Sequence, residues 1–174
     1  QVNSYMPRVH GDTFIHFEDV DYVMECDEPL LVYTQDVSDE LADQIGVYVY
    51  GVLLGPEGQS LAEKLFAYGA DKVLVVGDPA LAQYQPGLYV EAMARLVDQY
   101  RPEILLMGAT PLGNDLAPAL AGRLNTGLMS QCVKLGLDMS ERLLLGTFPV
   151  LGGEMYNTAA CTEARPQLAT LLPG

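Results

Sequence analysis

The apolar positions of this 174-residue chain fall into short continuous runs that alternate with helical stripes. The runs at 30–34, 47–54, 72–76 and 104–107 are apolar at nearly every position, as in strands buried on both faces of a parallel sheet. Between them the spacing becomes helical. Helices are predicted over 38–45, over 60–68 with Leu61, Leu65 and Tyr68 on one side, over 91–100 with Met93, Leu96, Val97 and Tyr100 inward, and over 116–124. Gly46 and Gly69 stand where two of these helices stop, and Asp36 or Ser38 stands where the first begins. Strand and helix alternate four times, which predicts a parallel sheet with helices on both faces and right-handed crossovers.

After Cys132 the rhythm changes. Strand-like runs at 133–137, 143–150, 155–161 and 167–171 leave no room for helices, and a polar stretch (138–141) and Gly152-Gly153 supply turns. The expected result is an antiparallel or mixed extension along one edge of the sheet. The fold class is therefore three-layer α/β: a mostly parallel sheet with helices on both faces and an antiparallel C-terminal edge. Residues 1–28 carry the weakest pattern, in which Phe14 to Phe17 and Tyr22 to Met24 could be short strands or an added hairpin. The chain divides into this segment and a single α/β domain over 29–174.

Composition narrows the function classes. Apolar residues make up 49% and charged residues 18%, enough for one globular domain with a sizeable core. The formal charge of −14 argues against nucleic acid, which requires a Lys/Arg surface, and against anionic membranes. No apolar run is long enough to cross a bilayer and no signal peptide is evident, so a cytoplasmic protein is expected, with the mitochondrial matrix as the alternative. Cys26, Cys132 and Cys161 are odd in number, far apart and match no metal-ligand spacing, so they read as reduced thiols and no metal is expected. His10 and His16 read as surface or satisfied side chains. Tyr84, Tyr89, Tyr100 and Tyr156 are too irregularly spaced for a stacking platform and read as half-buried.

The stretch with the most chemistry runs from the 104–107 strand through a Gly/Thr loop into the following helix. Gly108, Thr110, Gly113 and Asp115, with Arg123 further on, form the candidate binding set. Loops at the carboxyl ends of parallel strands hold ligands in open α/β sheets, and a helix N-terminus suits an anion. Neither GxGxxG nor GxxxxGK[ST] is present, and no lysine lies near the loop. The same residues are equally a packed strand–helix corner whose glycines permit the turn, with Asn114 or Asp115 capping the helix and Pro118 in its first turn. A hydrolase built on Thr110, Asp115 and Arg123 lacks an identifiable base, so no catalytic residue is assigned.

Several motifs together carry a family resemblance. Tyr68-Gly69-Ala70-Asp71-Lys72-Val73, Gly108-Ala109-Thr110, Leu112-Gly113, Asp115-Leu116-Ala117-Pro118, Arg123-Leu124, Thr126-Gly127-Leu128, Gly152-Gly153 and Arg165-Pro166-Gln167-Leu168-Ala169-Thr170 occur in one collinear order. From about Val47 onward the chain resembles the N-terminal domain of the electron transfer flavoprotein alpha subunit. The resemblance implies a nucleotide-hydrolase-like α/β domain that packs against a beta subunit. It also implies FAD in the complete protein, with its main site in a C-terminal domain outside this chain, and none held by this chain alone. The implied partners are the beta subunit and a dehydrogenase, such as an acyl-CoA dehydrogenase, from which electrons pass to an acceptor. Asn114, Phe148 and Leu172 stand where many relatives carry a basic residue. On this reading the chain is a scaffold and subunit interface, and an exposed apolar patch is expected where the partner docks. The alternative is a standalone nucleotide-binding domain using the 108–115 loop.

Overall fold

The computed structural model describes residues 13–16, 49–56, 58–67 and 70–172, with backbone alone at 13–16, 58–60 and 67. The expected strand at 30–34 and helix at 38–45 lie outside the described residues. The described elements are β1 (Thr13–His16), β2 (Tyr50–Leu54), α1 (Gly58–Ala67), β3 (Lys72–Val76), α2 (Pro86–Tyr100), β4 (Ile104–Gly108), α3 (Pro111–Leu124), β5 (Leu128–Cys132), β6 (Lys134–Asp138), β7 (Leu143–Val150), β8 (Met155–Ala160) and β9 (Gln167–Leu171). The class is α/β. Strands β2 and β3 pair in parallel, β4-β9-β5 form a second parallel group, and β1-β6-β7-β8 form an antiparallel sheet.

Strand β4 organises the layers because its side chains alternate between two cores. Leu105 and Met107 pack with Met93 and Val97 of α2, Leu116 and Leu120 of α3, and Leu168 of β9. Ile104 and Leu106 face the other way, against Met129, Leu135, Leu137 and Leu144. Period-two side-chain alternation in a strand with no solvent face requires apolar residues at every position, and all four of these β4 residues are buried. A third cluster joins Leu53 of β2 to Leu65 of α1.

The C-terminal strands do not all run along one edge. Strand β9 returns to the centre and pairs in parallel with both β4 and β5. Every residue of β9 is buried, Gln167 and Thr170 included. Only a central strand could bury such a segment, because the ladder on both sides satisfies its backbone. Strand β5 is absent from the pattern reading. Its register shifts between Met129 and Cys132, and Gln131 has φ of 55°, so its apolar positions never alternate.

Helix α3 starts earlier than its apolar stripe. Pro111 occupies the first turn, where a missing N–H costs nothing, and Thr110 is the N-cap in place of Asn114 or Asp115. Pro118 therefore lies in the helix interior, on its exposed side. Helix α2 likewise begins at Pro86, five residues before Glu91.

Candidate functional site

The strand-end corner between β4 and α3 brings Gly108, Thr110, Gly113 and Asp115 together. The Thr110 hydroxyl accepts a hydrogen bond from the Gly113 N–H at 3.0 Å, and the Asn114 N–H reaches the Thr110 carbonyl at 2.8 Å. The Ala109 N–H is bound to the Leu171 carbonyl at 2.6 Å, and Pro111 has no N–H to give. The Asn114 side-chain amide donates to the Ala109 carbonyl at 3.1 Å. Gly113 is required by space: a Cβ there would stand 2.0 Å from the Gly108 carbonyl oxygen. The backbone donors of this turn are thus largely consumed in closing the corner.

Asp115 is exposed and engaged from outside. The Tyr84 hydroxyl donates to its Oδ2 at 2.6 Å. Burial, reinforced by that hydrogen bond and the carboxylate charge, pushes the Tyr84 phenol well above its usual range. Tyr84 also meets Tyr89 edge to face at 4.9 Å, and the Tyr89 hydroxyl donates to the Leu81 carbonyl at 2.9 Å. These two tyrosines form a packed pair over the helix layer, with their hydroxyls taken.

Arg123 is not part of the corner. It stands thirteen residues after Thr110 along α3, about 20 Å at 1.5 Å per residue, and its guanidinium faces Glu91 of α2 at 3.5 Å. Arg95 is nearer to the same carboxylate at 2.8 Å, and together the two arginines hold Glu91 below the usual carboxylate range.

A flavin or nucleotide pyrophosphate needs several free N–H donors and a cation at one point. The corner has its hydroxyl in a cap, an exposed carboxylate in front and its arginine three turns away. The donor set does not fit such a group.

A different region has the character of a contact surface. Strands β7 and β8 form a ribbon paired from Leu145↔Ala160 to Val150↔Met155. Every residue from 151 to 159 is exposed, including Leu151 at 72%, Met155 at 54% and Tyr156 at 61%. Between Leu145 and Ala160 the sequence carries one charged side chain, Glu154, in a chain of net charge −14. The pairing places Val150 and Met155 on one face with Phe148, which packs partly into the core, while Tyr156 joins Pro149 on the other. Depletion of charge around exposed Met, Tyr and Leu is the composition of an interface centre. The sequence signal was available as the long uncharged stretch. It also reads as a buried strand pair, so composition alone did not separate the two.

The thiols differ in setting. Cys132 is buried against Met129 and Gly146, and burial pushes its thiol up to about 11. Cys161 is half-buried. Burial there works against ionisation, but contacts with the Thr126 hydroxyl at 3.7 Å, with the Ala164 and Gly127 backbone, and with the Arg165 charge outweigh it and hold the thiol below its usual value. No cluster of three or more His, Cys, Asp or Glu capable of holding a metal occurs among the described residues. No helix among them is long and apolar enough to cross a membrane.

Residues 38–174 match the family described as "Electron transfer flavoprotein domain". Among curated proteins, the chain is similar to the electron transfer flavoprotein subunit alpha of Clostridium acetobutylicum, 42% identical over 135 residues covering 78% of this chain and 40% of that protein. It is 45% identical over 136 residues to the protein of the same name from Thermoanaerobacterium thermosaccharolyticum, covering 78% of this chain and 41% of the relative. Protein FixB of Bradyrhizobium diazoefficiens is 43% identical over 136 residues, covering 76% and 37%. The chain thus spans about two fifths of the length of these relatives.

Proposed function

The chain belongs to the electron transfer flavoprotein domain family, and from that premise we propose that it serves as the scaffold and subunit-docking domain of an electron transfer flavoprotein alpha subunit. Its partner is the beta subunit. The pair carries electrons from a dehydrogenase to an acceptor, and FAD is held in a part of the protein outside this chain. The observation that carries the docking role is the exposed, nearly uncharged β7–β8 ribbon with Leu151, Met155 and Tyr156. Large apolar side chains exposed on both faces of a ribbon that carries a single charge suit a partner that takes in the tip of the ribbon. The 108–115 corner takes a structural role here. Gly108, Thr110 and Gly113 fix the end of β4 against α3, Asp115 anchors Tyr84, and Arg123 ties α3 to α2.

Co-purification with an electron transfer flavoprotein beta subunit tests this reading. The chain is expected to hold the beta subunit through size-exclusion chromatography. Met155→Asp combined with Tyr156→Asp is expected to weaken the complex at least tenfold, about 1.4 kcal/mol or more. Both side chains are more than half exposed, so the urea midpoint of the isolated chain should stay put. Unchanged association in that variant would remove the ribbon from the interface. Saturable quenching of FAD fluorescence by the isolated chain would overturn the placement of the flavin site.

A further inference from the structure

Strand β1 lies upstream of residues 38–174, the region that carries the family match. It nevertheless forms the outer strand of the antiparallel sheet, running against β6 with Thr13↔Leu137, Phe14↔Gly136, Ile15↔Leu135 and His16↔Lys134. Without it, β6 would present an open backbone edge. Of the features that protect edges in folded proteins, that edge has charge at its two ends, Lys134 and Asp138. It has no proline and no bulge, and its five residues, Lys134-Leu-Gly-Leu-Asp138, pair with β7 in unbroken register.

The same five residues are complementary to themselves. Two copies of β6 laid antiparallel with Gly136 on the two-fold axis would set Lys134 of each opposite Asp138 of the other, and Leu135 opposite Leu137. Opposite charges directly across a strand pair stabilise it, and the small residue at the axis lets the backbones close. A two-fold interface needs such a self-matching patch.

We propose that the β6 edge is a self-association edge that β1 closes in cis, so that the upstream strand and a second copy of the chain compete for one backbone ladder. The competition explains why a four-residue strand from outside the family-matched region is spent on this edge. The intramolecular strand wins while it is in place because its local concentration, set by its tether, exceeds that of a second copy. The proposal is independent of the docking role of β8, which forms the opposite edge of the sheet.

The test uses the full 174-residue chain. Phe14→Pro combined with Ile15→Pro removes two consecutive N–H groups from β1, so one of them is lost from the ladder in either hydrogen-bonding phase. Light scattering coupled to chromatography is expected to show the parent as a monomer and the double-proline variant at twice the mass. Adding Lys134→Asp to that variant puts carboxylates opposite each other at both ends of the paired strands, and the mass should return to that of the monomer. A synthetic peptide of residues 11–18, added in excess to the double-proline variant, should do the same by refilling the edge. A double-proline variant that stays monomeric with an unchanged circular dichroism spectrum overturns the proposal, as does a dimer that neither Lys134→Asp nor the peptide dissociates. Should the prolines disturb the fold, hydrogen exchange on the parent decides. Slow exchange at alternate β6 amides is expected if β1 covers the edge, and free exchange along its whole outer side overturns the idea.

Discussion

Gly113 shows how tightly the β4–α3 corner is built. A methyl group there would have to displace the Gly108 carbonyl, the last residue of a strand locked to β9. Gly113→Ala should destabilise the fold by about 1–3 kcal/mol, the range for overpacking, and the shift in urea midpoint measures it. Gly122 has nothing within 4 Å of its own Cβ position, so Gly122→Ala in the same helix should be neutral or mildly stabilising, since alanine favours helix. The thiols give a second contrast. Mapped by mass spectrometry at pH 8, maleimide should modify Cys161 well before Cys132, because Cys161 is half-exposed and held low while Cys132 is buried and pushed up to about 11. The Cys132 shift also has a sign for stability. The unfolded thiol ionises near 9 while the folded one keeps its proton to about 11. The contribution of this site is therefore fully present below pH 9 and is lost as pH rises from there through 11. Cys132→Ala should flatten that alkaline decline even though it lowers stability at neutral pH, and urea titrations at pH 8 and pH 10.5 on both proteins would show it.

At the scale of elements, the bend in β5 illustrates what a pattern can and cannot reveal. Gln131 takes a left-handed conformation, and its N–H leaves the ladder to donate to the Thr170 hydroxyl of β9 at 2.8 Å. Thr170 is buried, and its hydroxyl has no water to fall back on. Thr170→Val keeps the shape of the side chain but strands that N–H, and should cost about 1–3 kcal/mol. Thr170→Ser keeps the acceptor and should recover most of the loss; thermal melts of the two variants decide it. This bond runs between residues 39 apart, so no local reading could have found it, and without it the sequence Leu-Met-Ser-Gln-Cys shows no strand. By contrast β3, β7 and β9 have the bounds expected from their apolar runs, although only β9 is buried throughout. The position of β9 was not legible. An apolar run of five residues fits an edge or a centre equally well, and only its partners β4 and β5 distinguish the two. The candidate loop was found for the right reason, its place at a strand end. The sequence leaves a ligand loop and a packed corner equally open there, because the partners that engage the Thr110 hydroxyl, the Gly113 N–H and the Asp115 carboxylate are a matter of three-dimensional placement. The ribbon is the converse case: its exposed Leu151, Met155 and Tyr156 become visible only through burial, since an uncharged stretch fits a buried strand pair equally well.

At the scale of the whole molecule, β4 and β9 belong to two cores at once. Leu105 lies in the helix-side core and Leu106 in the core under the antiparallel sheet, and both are buried. A strand pair shared in this way cannot lose one layer and keep the other, because removing either set of contacts leaves β4 with an unsupported apolar face in water. The two layers should therefore unfold together, although the antiparallel sheet and the helices share no ladder. The tyrosines make the test direct. The chain has ten of them and no tryptophan, and Tyr84, Tyr89 and Tyr100 report on the α2 side. Tyr156 is the one tyrosine on the antiparallel sheet among the described residues, so in a Tyr156→Phe background tyrosine fluorescence follows the α2 side, while hydrogen exchange at β6 and β7 amides follows the antiparallel sheet. Leu105→Ala and Leu106→Ala should each cost about 2–5 kcal/mol, and each should move both signals to the same lower urea midpoint. If Leu106→Ala released the β6 and β7 amides while leaving the tyrosine transition in place, the antiparallel sheet would be a separable unit. The ribbon carried on such a unit could reorient without disturbing the α/β body. A common midpoint means that the ribbon is held rigidly by the core through β7, whose Leu144 and Phe148 lie in the same cluster as Leu106. A partner seated on the ribbon would then stabilise the α/β body along with it, as binding to the native state alone requires.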